Sequence, residues 1–480
     1  MTKNFERSAQ VAAIRTQAGH PIVDADGHLV EIFPLVEERI RAVAGADVAA
    51  KFAPMEAQFL GSREMVRWHR GQPRAEPLAG FWGFPTRNTL DRVTAILPEL
   101  MYRRLDELGI DFALVYPTVG LMVNAVPDAE LRCALARALN QYYAQMYEGL
   151  RDRMEPVAVI PTITPGEAVA ELDHAVGTLG LKAVVLNGAI VRTTPAADGT
   201  PMRWLDTLGH ASLYDYDPLW QRCQDLGVVP SFHATGFGWG SRISPNNYVH
   251  NHIGHFAAAQ EATCRSLVFG GVPKRFPKLR FAFLEGGVAW GCQLYADILG
   301  HWDKRNREAV YNYSPAELDV DAYERLLREH ARPQVTAHIP ALRANALRNA
   351  EDTRRYFRPE LIDDFAEARI ESPADVADIF ARQFSFGCEA DDPLAAVAFD
   401  AALNPHGIRL NAMFASDIGH WDVPDMREVL PEAWELVEHG HMDARDFEDF
   451  ACGNVVRMLT AMNPRFFDGT AVAGLGSRYP

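Results

Sequence analysis

The chain has 480 residues, of which 48% are hydrophobic, and 63 acidic side chains outnumber 47 basic ones for a formal net charge of −16. That balance excludes nucleic acid as the main partner, and so apolar a composition excludes disorder as the main state. The length leaves room for two or three domains, or for one long α/β barrel. The six cysteines, Cys133, Cys223, Cys264, Cys292, Cys388 and Cys452, are scattered without a C-x-x-C pair, as suits a reducing compartment. Met1–His20 carries charges throughout and lacks the apolar core of a signal peptide. No apolar run reaches the roughly 20 residues of a membrane helix. The expectation is a cytoplasmic protein without membrane attachment.

Short apolar runs alternate with helix-forming stretches along the chain. In order, the predicted strands are Pro21–Asp26, Ile110–Tyr116, Pro156–Pro161, Lys182–Asn187, Val228–His233, Leu279–Glu285, Gln383–Cys388 and Leu410–Ser416. Runs such as FALVY and KAVVL are continuously apolar, as strands buried on both faces should be. Helical signals lie between them, for example Thr164–Leu179 with Thr164 as cap and Pro165 at the first turn. Eight strands joined by helical crossovers predict a (β/α)8 TIM barrel, and no Gly-rich nucleotide loop follows the first strand to favour an open sheet. Two stretches exceed a normal connection. Residues 32–99 contain EPLAGFWGFPTRNT, and residues 301–382 are charged and helix-forming. Both are read as insertions over the barrel mouth within a single domain spanning 1–480. The tail Val423–Phe467 reads as helical.

In such a barrel the chemistry sits where strands end, and here the strand ends are polar. The first run ends in Asp24-Ala25-Asp26-Gly27-His28 with Glu31 beyond, the fifth in His233, the sixth in Glu285-Gly286-Gly287, and the eighth in Ser416-Asp417. Any one of these would suit a helix cap. Carboxylates or imidazoles at four strand ends are better explained by a divalent ion, which needs such ligands converging from several directions.

In this order the segments IVDADGH, PSFHATG, RFPKLRFAFLEGGVAW and FASDIGHWD resemble the amidohydrolase superfamily, and in particular its amidohydrolase-related branch that includes metal-dependent decarboxylases. The resemblance runs from Pro21 to Asn463. It implies Asp26, His28 and His233 as metal ligands, with Asp26 standing where relatives carry a first histidine, and Asp417 as ligand and general base. Two departures stand out. Glu285 occupies a position where many relatives have a histidine, and Asp24 and Glu31 extend the first motif to D-x-D-G-H-x-x-E. The segment YVHNHIGHF adds His250, His252 and His255. His252, His255 or His420 could take over the work of the missing histidine.

The candidate ligands are therefore Asp26, His28, Glu31, His233, Glu285 and Asp417, and the candidate catalytic groups Asp417, His252, His255 and Glu285. The cofactor expected is one or two divalent transition ions, iron, manganese or zinc. Lytic chemistry, hydrolysis or decarboxylation of a small organic and aromatic-leaning acid or amide, is the leading expectation. The alternative is a non-haem di-iron oxygenase, which would need an electron donor, because a carboxylate-rich set suits two irons as well. A third reading is a non-enzymatic binding barrel. Arg242, Trp239 and Asn247, near the stretches Phe81–Phe84 and Gly236–Gly240, are the candidate substrate contacts. A homo-oligomer is the expected assembly.

Overall fold

A computed structural model describes residues 5–52, 87–233, 250, 253, 255–356, 363–420 and 423–479. Among these, ten strands form: β1 (Val23–His28), β2 (Phe112–Tyr116), β3 (Met154–Ile160), β4 (Ala183–Asn187), β5 (Ile190–Pro195), β6 (Pro201–Asp206), β7 (Pro230–His233), β8 (Phe281–Phe283), β9 (Phe384–Cys388) and β10 (Asn411–Phe414). Eight of them make one sheet in the order β1-β2-β3-β4-β7-β8-β9-β10. Every pair along it is parallel. Each of these eight corresponds to one of the predicted runs, shifted by a residue or two at the ends.

The sheet closes without an ordinary ladder between β1 and β10. Instead, the Asp417 amide donates to the Asp26 carbonyl (2.9 Å) and the His28 amide to the Ile418 carbonyl (2.6 Å). This is the (β/α)8 barrel that the alternation predicts. Its strands are short and almost wholly buried, so apolar residues on both faces satisfy barrel interior and helical shell together. Trp220, Phe232, Phe281 and Phe283 fill the space behind β7 and β8 with stacked and edge-on rings.

The crossover helices follow the predicted signals. Thr164 caps Pro165–Leu172, its hydroxyl accepting from the Glu167 amide, and Asp128 caps Ala129–Met146 in the same way. Helices Val320–His330 and Ile339–Tyr356 occupy the charged stretch after β8. The tail contributes Val429–Glu438, Ala444–Glu448 and Asn454–Met462. An antiparallel hairpin, β5 with β6, interrupts the β4-to-β7 crossover and has no counterpart among the predicted elements. No helix of the described residues is long and apolar enough to cross a membrane.

Candidate metal centre

β1 carries Asp24, Asp26 and His28, and its ladder with β2 is interrupted by an irregularity between Asp24 and Gly27. All three are buried. His233 ends β7, Glu285 lies just beyond β8, and Asp417 and His420 lie beyond β10. These ends meet at the carboxyl face. His28 Nε2 is 3.1 Å from His233 Nε2, 3.3 Å from Asp26 Oδ1 and 3.2 Å from Asp417 Oδ1. Asp26 Oδ2 is 3.6 Å from His233 Nε2, and Glu285 Oε2 is 3.2 Å from His233 Nδ1. His420 Nδ1 stands 2.7 Å from Asp417 Oδ1 and 3.4 Å from Glu285 Oε1, its ring stacked on His28 at 3.6 Å.

Two overlapping sets, His28–Glu285–Asp417–His420 and Asp26–His28–His233, each offer ligand atoms within 4.8 Å of one another. They share His28. Gln260, itself buried, donates to the carbonyls of Phe232 and Leu284 (both 2.9 Å) and so fixes the backbones that carry His233 and Glu285.

Both oxygens of Asp26 are buried and accept no hydrogen bond. Burial raises its pKa above the usual carboxylate range, opposed by His233 and His420. A carboxylate kept dry without donors is costly, and a cation among these oxygens and imidazoles would offset that cost. The donor set therefore fits a divalent ion, and its nitrogen and oxygen atoms, without thiolates, are those that manganese, iron and zinc accept. Glu285 and Asp417 also have left-handed backbones, φ 56° and 55°. Non-glycine residues seldom adopt this conformation, and such outliers concentrate at functional sites.

Of the residues singled out in the sequence, the structure brings Asp26, His28, His233, Glu285 and Asp417 together, and His420 joins them. Glu31 does not join, which corrects its reading as a ligand. The chain leaves the barrel after His28, and the Glu31 carboxylate accepts from the amides of Val119 (2.9 Å) and Gly120 (3.0 Å) and from the Tyr143 hydroxyl (2.8 Å). Its oxygens are occupied in holding the loop after β2. Glu31→Ala is accordingly expected to lower the thermal midpoint while leaving metal content at the wild-type level, a pair of values that thermal unfolding and elemental analysis give together. His255 opens the helix His255–Phe269, is buried, and belongs to neither converging set. His252, Arg242, Trp239, Asn247 and the stretches 81–84 and 236–240 lie outside the described residues.

A small recess lies beside His233, walled by Gly120, Leu121, Val123, Val159 and Asn187. Asn187 ends β4, and its carbonyl and Oδ1 accept from Thr162 and Ala189.

A parallel barrel with imidazoles and carboxylates gathered at its carboxyl face defines the class: a barrel with a candidate metal site. The sequence profile of the family described as Amidohydrolase matches residues 23–460, and the chain belongs to that family of enzymes. Similar solved structures include 2,6-dihydroxybenzoate decarboxylase from Rhizobium (15% identity, TM-score 0.47, covering 92% of this chain and 99% of that one). A dihydroxybenzoic acid decarboxylase from Polaromonas sp. JS666, with manganese and 2-nitroresorcinol bound, gives 15% identity and TM-score 0.49 over 92% and 97% of the two chains. For 5-carboxyvanillate decarboxylase from Sphingomonas paucimobilis the values are 13% and 0.48, over 92% and 98%. Among curated proteins, none matches the chain.

Proposed function

We propose that the chain is a metal-dependent lytic enzyme that hydrolyses or decarboxylates a small organic acid or amide. The observation that carries this reading is the convergence of three carboxylates and three imidazoles, all buried, on four strand ends of one barrel. Asp26, His28, His233 and Asp417 would hold the ion. A divalent ion there supplies Lewis acidity, polarising a carboxylate or carbonyl of the substrate and easing ionisation of water.

The protein's own groups handle the proton. Asp417 and His420 form a pair 2.7 Å apart, close enough to share one proton and to pass it on. In hydrolysis Asp417 takes a proton from the attacking water and returns it to the leaving group. In decarboxylation the carbon–carboxyl bond breaks, its electron pair stays on carbon, carbon dioxide leaves, and the acid of this pair protonates the carbon. His420 thus stands in for the histidine that Glu285 replaces.

A second reading rests on Glu285. Its carboxylate joins one of the two ligand sets that overlap at His28, a pattern that would also serve two ions and oxidative chemistry. Elemental analysis combined with oxygen-uptake measurements separates the two. One equivalent of manganese or zinc with oxygen-independent turnover is the expected result. Two irons per chain with substrate-dependent oxygen consumption would overturn the lytic reading in favour of an oxygenase. Less than a tenth of an equivalent of any transition metal would favour a binding barrel.

A further inference from the structure

Asp24 is fully buried, belongs to neither ligand set, and among the described residues pairs with no lysine or arginine. All of its hydrogen bonds go to the closing seam of the barrel. Oδ1 accepts from the amides of Asp26 (3.2 Å) and Ser416 (2.9 Å), and Oδ2 accepts from the Ser416 hydroxyl (2.5 Å). The Ser416 Oγ in turn accepts from the Ile418 amide (3.1 Å). One carboxylate and one hydroxyl therefore grip the backbone on both sides of Asp417, the residue whose left-handed φ must be held against its intrinsic preference. The same carboxylate grips the amide of Asp26. Across the seam these bonds act beside the backbone bonds from the Asp417 amide to the Asp26 carbonyl (2.9 Å) and from the His28 amide to the Ile418 carbonyl (2.6 Å).

We propose that Asp24, acting through Ser416, is a positioning residue that holds Asp26 and Asp417 at the spacing a divalent ion requires, so that metal retention and barrel closure form one unit. The proposal rests on the reading of Asp26, His28, His233 and Asp417 as ligands. It assigns to Asp24 no contact with metal or substrate. Groups that orient ligands from behind commonly change metal affinity about 10–100-fold when removed, and a carboxylate bonded to backbone amides beside two ligands is placed to do so.

The test titrates the metal-stripped full-length chain with Mn2+, followed by its paramagnetic resonance, and with Co2+, followed by its visible absorption. Ser416→Ala and Asp24→Ala are expected to weaken Mn2+ binding about 10–100-fold and to alter the Co2+ spectrum. Asp24→Asn keeps an acceptor for both amides and offers its own amide to the Ser416 oxygen, so it is expected to recover most of the affinity. Gln383→Ala serves as the structural control. Gln383 is buried at the opposite end of the strands, where it donates to the carbonyls of Pro273, Phe276 and Leu279. Its loss should lower the thermal midpoint without moving metal affinity or the Co2+ spectrum. Should Asp24→Ala not fold, Ser416→Ala and Asp24→Asn decide. Wild-type affinity and spectrum in Ser416→Ala, or a loss no larger than Gln383→Ala shows at an equal drop in midpoint, would overturn the positioning role. Failure of the wild-type chain to bind either ion would overturn the ligand reading, and the proposal with it.

Discussion

Asp417→Asn is expected to lower kcat by about 10²–10⁴-fold, the range that a positioned general acid–base supplies, with the thermal midpoint close to that of wild type. The amide is nearly isosteric with the carboxylate, and asparagine tolerates the left-handed φ of 55° better than most residues. The backbone bond from residue 417 to the Asp26 carbonyl is also kept. The substitution removes an oxygen that can carry a proton 2.7 Å from His420 Nδ1, and it would weaken one of the proposed metal ligands. Kinetics on the acid or amide that wild type converts, run beside metal analysis, separate the two effects. Turnover at the wild-type rate would sink the assignment of Asp417.

Gly419→Ala is expected to act on stability rather than on proton transfer, and more severely. Gly419 has φ 95°, and a Cβ built there would lie 2.0 Å from the His28 carbonyl oxygen. That atom belongs to rigid β1 backbone and cannot swing aside. The strain adds to a backbone conformation that alanine avoids, so a cost above about 3 kcal/mol is expected. Relief requires the 416–420 turn to move away from β1, which breaks the His28–Ile418 hydrogen bond and carries Asp417 and His420 out of reach of the other ligands. Thermal unfolding should show a sharply lowered midpoint, and purified protein should retain little metal. A variant with the wild-type midpoint and full metal content would show that the seam is more pliant than its contacts imply.

The strands of the barrel were legible because parallel strands buried on both faces leave uninterrupted apolar runs, and FALVY or KAVVL can hardly be anything else. The β5–β6 hairpin was not, although a signal was present. Asp198-Gly199 lies between β5, whose burial alternates at Ile190, Val191 and Arg192, and the largely exposed β6, and a D-G turn between two strands is a hairpin cue. Its exposed residues broke the apolar continuity by which the other strands were found.

At the candidate metal centre, Asp26, His28, His233, Glu285 and Asp417 stood out because each lies near or just beyond the carboxyl end of a strand. Glu31 shared the motif without sharing the place. The H-x-x-E spacing says nothing of the point where β1 ends and the chain turns toward the loop at Val119. His420 is the converse. Its place beside Asp417 depends on a left-handed residue and a glycine that fold the chain back within three residues, which a linear spacing does not display. Asp24 was noticed as a surplus carboxylate, but its partner Ser416 is 392 positions away, and no local pattern joins them.

That separation bears on how the protein comes into being. Contacts between distant segments form late, because the entropy of closing so long a loop must be met before the contact returns anything. Asp26 and His28 leave the ribosome early, while Asp417 and His420 follow after nearly 400 further residues, a delay on the order of tens of seconds at roughly 5–20 residues per second. Through that interval the nascent chain holds only a fraction of its ligands and has little hold on a cation. On the proposed ligand set, a cation could be held fully only once the two edges of the sheet have joined.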